Sequence, residues 1–264
     1  MSRTETSELL EERAGAVLYV TFNRPHARNA MTFAMYDRLG EICRDANEDD
    51  ELRCMVVTGA GGAFVAGTDI AQFKTFETEE DALAYEARMG REVGSLGAVR
   101  VPTIAAVPGP CTGGGFAIAG SCDIRIASPN ARFGIPIART LGNTLSMAAL
   151  NLVVDLLGPA RAKEMLFTAR LLDAEEAYRV GLVTEVVPSE EALLPRAREL
   201  AEQIAGNAPL TLRSIKAGIG RILDRRHLAG DEARDLILMA YKSEDFKEGM
   251  NAFLEKRKPQ WRGR

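Results

Sequence analysis

The fold of this chain is decided by a glycine-rich stretch at residues 59–70, GAGGAFVAGTDI, and by a second one at residues 109–117, GPCTGGGFA. Each follows a short apolar run, at residues 54–58 and 103–108. Each stretch therefore predicts a strand, a glycine turn and the start of a helix. Glycine lets backbone N–H groups approach a ligand closely, and a helix N-terminus offers unpaired donors. Two such turns can direct two N–H groups at one oxygen atom, which is how an oxyanion is stabilised.

Outward from these stretches, strand-like and helix-like segments alternate. Apolar runs predict strands at residues 16–22, 53–58, 103–107, 122–127 and 183–187. Helical patterns lie between them, and the first follows an N-cap at Thr32. A later one, at residues 143–157, ends at a stop signal of glycine followed by proline at residues 158–159. From residue 190 onward only helices are predicted, at residues 190–206, 209–223, 231–241 and 243–257. This order predicts an α/β core followed by an all-helical tail.

Several further segments have a characteristic order and spacing. They are residues 23–25 with 29–30, 64–70, 109–123, 132–136, 172–177, 181–183 and 246–257. In these segments the chain resembles the crotonase, or enoyl-CoA hydratase/isomerase, superfamily over nearly its whole length. The resemblance implies a crotonase-type β-spiral core of ββα turns in residues 1–200, which holds a CoA thioester site. It also implies an all-helical C-terminal region in residues 201–264 that serves oligomerisation.

The chain departs from the resembling hydratases at two positions. Those proteins have one glutamate three residues after the middle glycine of the Gly-Gly-Gly run, and another after the proline of the Phe-Gly-x-Pro segment. Here the same positions hold Ala117 and Ile137. Two apolar side chains cannot activate water. The resemblance therefore implies an acyl-CoA ligand, whereas hydration of a simple double bond is not expected.

The backbone N–H groups of Thr68 and Gly114 are the candidate oxyanion hole for a thioester carbonyl. Each turn alone could be purely structural, but the two together favour the hole. With it we expect a lyase or isomerase that stabilises a thioester enolate. Arg139 is a candidate for orienting a carboxylate-bearing acyl group, although its neighbours are equally consistent with turn and N-cap residues. Tyr85, Glu86 and Arg88 lie on the predicted helix after the first glycine turn, a region that some resembling proteins use for extra acid–base residues. Because this helix is highly charged, we expect the three side chains to face solvent instead.

The resemblance also implies which residues bind the substrate. Arg24, His26 and Arg28 follow the first predicted strand, in a loop that borders the CoA phosphates in resembling proteins, and arginine suits phosphate. In the tail, Phe253 and Lys256 resemble residues that reach the nucleotide end of the ligand. The remaining candidates belong to the first glycine stretch or occupy the two altered glutamate positions: Ala66, Asp69, Ile70, Ala117 and Ile137.

Composition limits the remaining classes of function. The chain has 264 residues, 46% hydrophobic and 27% charged, and a net charge of −4. This charge argues against nucleic acid or an anionic membrane as partner. No apolar run reaches the roughly 20 residues that span a bilayer, and the acidic N-terminal segment does not resemble a signal peptide. We therefore expect a cytoplasmic protein.

Cofactor and metal chemistry also receive little support. The chain has only two histidines, His26 and His227, which excludes a histidine-rich metal site, and its four cysteines are expected to be buried free thiols. The residues 59–64 lack the third glycine of a dinucleotide fingerprint, because Phe64 replaces it. We expect no cofactor besides the coenzyme A of the substrate.

Two other classes of function can be compared with the acyl-CoA enzyme that the resemblance implies. A serine hydrolase is not expected because no Gly-x-Ser-x-Gly occurs, whereas a non-catalytic acyl-CoA binding protein remains the alternative.

The tail has apolar residues at helical spacing over residues 236–239 and 246–254. Such a stripe must be buried, and resembling proteins form trimers and pairs of trimers through it. We therefore expect a homotrimer or hexamer.

Overall fold

The computed structural model describes residues 8–75, 79–140 and 145–224, together with positions 244, 248, 255, 257, 260 and 262–264. The strands are β1 Leu9–Ala14, β2 Val17–Phe22, β3 Cys54–Gly59, β4 Val65–Ala66, β5 Thr103–Val107, β6 Pro110–Thr112, β7 Ile124–Ala127, β8 Arg132–Gly134, β9 Leu172–Asp173 and β10 Glu185–Val186. The helices are α1 Phe33–Glu48, α2 Glu79–Gly97, α3 Gly114–Ser121, α4 Ile137–Thr140, α5 Met147–Thr168, α6 Ala174–Arg179, α7 Leu193–Ala205 and α8 Pro209–Asp224. Short 3-10 helices occupy Pro25–Ala27 and Ile70–Thr75.

Two sheets form the core. The larger has the strand order β1-β2-β3-β5-β7-β10, and the smaller has the order β4-β6-β8-β9. Pairing is parallel except for β1 with β2 and β8 with β9. In each repeat the chain forms one strand of the larger sheet (β3, β5 or β7) and then one strand of the smaller sheet (β4, β6 or β8), and helices connect the repeats. This is the repeated ββα turn that the resemblance implied.

Strand β3 shows how the larger sheet separates two apolar layers. Side chains alternate across a strand, so Met55 and Val57 pack with α1 and the smaller sheet, whereas Cys54 and Val56 pack with α7. All four cysteines are buried and free. Burial raises the pKa of the Cys43 thiol to about 11, which keeps it protonated at neutral pH. The cysteines are thus buried free thiols, as predicted.

The helix boundaries follow local signals. Thr32 caps α1 by accepting from the Met35 amide at 3.2 Å, and Asp173 caps α6 by accepting from the Glu176 amide at 2.8 Å. Helix α5 is broken at Gly158, whose φ of 71° and ψ of 160° are non-helical. This break lies where glycine followed by proline predicted a stop. Ser146 caps α5 by accepting from the Ala149 amide at 3.3 Å.

Three expectations differ from the structure or lie outside it. Strand β1 was not predicted, because its pattern LLEERA buries Leu9 alone and gives no alternating signal. Helix α7 spans residue 200, so the expected boundary at 200 and 201 falls within one helix. The predicted helices at 231–241 and 243–257 lie outside the continuously described ranges. Within the part of the chain that is described, no helix is long and apolar enough to cross a bilayer.

Candidate active site

A cavity of about 430 Å³ opens where the two glycine turns meet helices α2, α3 and α5. Its wall is mainly apolar, with a few hydroxyl groups. None of the described residues that line it is charged. An apolar cavity with few polar groups is the usual form of a small-molecule site. Its lining includes Ala66, Thr68, Ile70, Tyr85, Gly114, Ala117, Ile137, Thr140, Leu145, Ser146 and Leu152.

The two turns lie side by side because the strands before them pair. Strands β4 and β6 are parallel, with Ala66 opposite Thr112. Each strand then enters a turn at a glycine with positive φ, Gly67 at 91° and Gly113 at 55°. A side chain is strained in this conformation. The two turns therefore lie side by side at the same end of neighbouring strands.

Helix α3 begins unusually close to strand β4. A Cβ at Gly115 would lie 2.1 Å from the carbonyl oxygen of Val65, so only glycine permits this approach. The Gly113 amide donates to Gly134 O at 3.0 Å, which fixes the turn against strand β8. Gly114 is the first residue of α3. Its N–H therefore belongs to the helix terminus, where partial positive charge is concentrated.

The amides of Thr68 and Gly114 have no acceptor among the described residues, whereas the amides of Asp69 and Gly113 beside them donate to Met31 O and Gly134 O. Backbone N–H groups in folded proteins are almost always paired. Two unpaired amides on adjacent turns at one cavity are therefore available to a ligand oxygen. This is the arrangement expected of an oxyanion hole.

A chain of three hydroxyl groups lies beside these amides. Thr68 Oγ1 is 2.9 Å from Tyr36 Oη and 2.9 Å from Tyr85 Oη. Tyr36 is fully buried on α1, and burial raises its pKa. Tyr85 lines the cavity from α2. The expectation that Tyr85 faces solvent was therefore wrong, because the charged pattern of α2 did not reveal the packing of its inner face on α1. Arg88 is half-buried, ion-paired to Asp37 and placed over the Phe33 ring, whereas the Glu86 side chain lies outside the described part.

Both positions that replace the expected glutamates belong to the cavity wall. Ala117 on α3 and Ile137 on α4 line it and pack against the main core. They supply neither a proton donor nor a base. No carboxylate takes their place among the lining residues within the described ranges. No group of acidic, histidine or cysteine side chains in those ranges could hold a metal ion.

Arg24 has a local structural role. Its guanidinium forms ion pairs with Glu8 at 3.0 Å and Asp69 at 3.1 Å, and it donates to Ala30 O at 2.6 Å. The Ala71 amide and Arg24 both stabilise the Asp69 carboxylate, which lowers its pKa. Asp69 is therefore a turn residue held in its charged form. His26 and Arg28 are exposed.

Three other candidates are not among the described residues that line the cavity. The Arg139 side chain is exposed on α4 and is not among the lining residues, whereas Thr140 beside it is. Its orienting role stays a prediction. Phe253 and Lys256 lie outside the described residues, as do Asn143 and Thr144. The structure thus brings Thr68, Gly114 and the apolar candidates together but does not test the CoA-binding candidates.

Comparison with known proteins agrees with this geometry. The family model for enoyl-CoA hydratase/isomerase matches residues 12–264. A short-chain-enoyl-CoA hydratase from Clostridium acetobutylicum is 38% identical, over 96% of this chain and 97% of that protein. A 2,3-dehydroadipyl-CoA hydratase from Escherichia coli is 34% identical, over 98% of this chain and 100% of that protein.

Solved structures show the same similarity. The crystal structure of an enoyl-CoA hydratase/carnithine racemase from Magnetospirillum magneticum has a TM-score of 0.92 at 34% identity, over 98% of this chain and 97% of that one. An enoyl-CoA hydratase from Bacillus anthracis has a TM-score of 0.88 at 30% identity, over 98% and 100%. The predicted α/β fold with its crotonase-type spiral is thereby confirmed. This chain belongs to the enoyl-CoA hydratase/isomerase family of the crotonase superfamily.

Proposed function

We propose that this protein acts on an acyl-CoA and stabilises a thioester enolate or oxyanion through the N–H groups of Thr68 and Gly114. The observation that supports this most directly is the pair of unpaired amides on adjacent turns of an apolar cavity. Removing one oxyanion donor from an enzyme typically costs about 2.7–4 kcal/mol in the transition state. Two main-chain donors can therefore supply a large part of the rate without an acidic side chain.

The reaction belongs to the lyase or isomerase chemistry of the family, and simple hydration is not its principal activity. Hydration needs a base that activates water and an acid that protonates carbon. The cavity has Ala117 and Ile137 where resembling hydratases have these groups. Several relatives are named hydratases. We infer from them the substrate class of this protein, an acyl thioester of CoA, but not the addition of water.

The remaining parts of the proposal concern the nucleotide and the assembly. His26, Arg28, Phe253 and Lys256 border the CoA moiety, and Arg24 holds their loop in place through its ion pairs with Glu8 and Asp69. Arg139 orients a charged acyl group where the substrate has one. The protein works in the cytoplasm as a homotrimer or hexamer, in which a neighbouring tail completes each CoA site.

Crotonyl-CoA tests the chemistry directly. We expect hydration to be slow, because general acid–base groups typically contribute 10²–10⁴-fold each. The loss of enoyl absorbance at 25 °C measures it. A turnover number of order 10 per second or above, which is typical of enzymes, would contradict the proposed absence of hydratase chemistry.

A non-catalytic acyl-CoA binding protein is the second candidate, because no charged residue lines the described cavity. Thermal unfolding with butyryl-CoA, free CoA and NAD tests the ligand class, since a ligand that binds only the native state raises the melting temperature. We expect the largest shift with butyryl-CoA. A shift with NAD alone would contradict both candidates, and binding without any turnover would favour the second.

A further inference from the structure

The hydroxyl chain of Tyr36, Thr68 and Tyr85 is not needed to form the oxyanion hole, because the hole uses main-chain donors. Its position is nevertheless specific. Thr68 contributes its N–H to the hole and its Oγ1 to both phenols, at 2.9 Å each. A Cβ at Gly114 would lie 2.2 Å from Tyr36 Oη and 3.5 Å from Thr68 Oγ1. The hydroxyls of Tyr36 and Thr68 therefore lie beside Gly114, and Tyr85 contacts this pair through Thr68.

Burial determines the direction of these hydrogen bonds. Tyr36 has no exposed surface, and Thr68 Oγ1 is the one hydrogen-bond partner of its hydroxyl group in the described part of the chain. A buried O–H without an acceptor would cost about 1–3 kcal/mol. Tyr36 therefore donates to Thr68. The Thr68 hydroxyl can then donate its own proton to the Tyr85 oxygen, in which case the Tyr85 proton is available for a different acceptor.

Packing against a neighbouring ring fixes the side chain of Tyr85 at the cavity wall. Its ring packs against Phe33 with a centroid separation of 5.8 Å, and it lines the acyl cavity. Among the described residues of that cavity, its phenol is the most acidic side-chain group, since the other polar lining groups are threonine and serine hydroxyls. A hydrogen bond received from Thr68 also stabilises the phenolate that remains after proton donation.

We propose that Tyr85 is the group that transfers a proton to and from the α-carbon of the bound acyl-CoA, with Thr68 and Tyr36 as positioning residues. In the forward step the enolate electron pair forms the new C–H bond, the Tyr85 O–H bond breaks and the thioester carbonyl re-forms. The phenolate then regains a proton from water. In reverse, the phenolate removes an α-proton and the oxyanion hole holds the enolate.

This inference rests on the proposed function, and deuterium exchange tests it without knowledge of the natural reaction. Butyryl-CoA is incubated with enzyme in D₂O, and mass spectrometry follows deuterium at the α-carbon. We expect wild-type enzyme to catalyse the exchange and Tyr85→Phe to lower its rate about 100-fold or more, within the usual range for an acid–base group. Thr68→Val keeps the backbone N–H, and Tyr36→Phe keeps the ring. Each should lower the rate about tenfold, as expected for loss of roughly 1.4 kcal/mol.

Binding and folding separate this role from a structural one. The dissociation constant for butyryl-CoA and the melting temperature are measured for each variant, and Tyr178→Phe, at an exposed position on α6, is the control. We expect Tyr85→Phe to bind butyryl-CoA within about threefold of wild type. Exchange by Tyr85→Phe at the wild-type rate, or binding by wild type without exchange, overturns the role of Tyr85. Failure of wild type to bind butyryl-CoA overturns the proposed function itself.

Discussion

At the scale of single residues, the candidate oxyanion hole depends on backbone conformation. Gly113 has φ 55° and ψ −118°, and its position fixes where the Gly114 N–H points. A Cβ at Gly113 would lie 3.5 Å from Gly67 Cα, which is an ordinary van der Waals contact. Space alone would admit a methyl group here, but the backbone conformation would be strained by it.

Gly113→Ala therefore tests the turn. We expect a loss of about 1–3 kcal/mol in the free energy of unfolding, together with weaker binding of butyryl-CoA because the Gly114 donor moves. Urea denaturation and calorimetry measure the two effects. Gly220→Ala is the control, since Gly220 lies in α8 with no atom near the added Cβ, and alanine should stabilise that helix by about 0.5–1 kcal/mol. Unchanged stability of Gly113→Ala would contradict the argument.

The residues differ in how far they could be predicted. The glycine turns are local features, so they could be predicted from their own segments. The role of Thr68 and Gly114 as an oxyanion hole was inferred from the two turns together and from the resemblance. The position of Tyr85 at the cavity could not be predicted locally, because it depends on the packing of α2 against α1 and on the contact with the Thr68 hydroxyl. Arg24 satisfied a pattern typical of phosphate binding, yet tertiary contacts pair it with Glu8 and Asp69.

At the scale of elements, helix α3 is anchored at its C-terminal end. Its first turn faces the cavity, and Arg125 on strand β7 contacts its last turn. The Arg125 guanidinium is buried and donates to Ala119 O at 3.2 Å, Gly120 O at 3.3 Å and Leu182 O at 2.7 Å. Burial lowers the pKa of Arg125, which indicates that desolvation is costly. A cation at the C-terminal end of a helix is also favoured by the helix dipole.

Arg125→Met removes these donors while keeping much of the apolar side chain. We expect a loss of about 1–3 kcal/mol in the free energy of unfolding, because buried carbonyl groups lose their partners. Denaturant unfolding measures it, with Arg179→Met on α6 as an exposed arginine control. Equal stability of the two variants would show that Arg125 does not anchor α3.

Strands and helices could be predicted from the sequence where the apolar pattern of a single segment determines them. Strands β2, β3 and β5 are continuous apolar runs because parallel sheets are covered on both faces. Helix α5 begins at Met147 rather than at the predicted residue 143, since Ser146 provides the cap. The spiral arrangement of the two sheets depends on contacts between distant strands. It came from the resemblance and not from periodicity.

At the scale of the whole molecule, helix α8 exposes an apolar stripe in the described part of the chain. Ile215, Ile219, Ile222 and Leu223 are each more than half exposed, at 54%, 54%, 57% and 51%. Their spacing places them on one face of the helix. A stripe of this kind is typical of a surface that is covered in the assembled protein. It continues the apolar pattern that the sequence shows in the tail.

We predict a mass three or six times the 28.7 kDa of one chain. Light scattering at micromolar concentration measures it. Ile219→Asp should lower the average mass because it buries a charge in the contact, whereas Gln203→Asp on the exposed face of α7 should not. A monomer mass for the wild-type protein would contradict the predicted assembly.

The measurement that tests the central claim most directly compares butyryl-CoA with S-butyl-CoA, in which CH₂ replaces the thioester carbonyl. If the Thr68 and Gly114 amides hold that oxygen, the analogue leaves two desolvated donors without an acceptor. Calorimetry should then show weaker binding by about 1–3 kcal/mol, which is roughly 5- to 150-fold in the dissociation constant. Equal affinities for the two ligands would contradict the account, because the carbonyl oxygen would then not be bound by these amides.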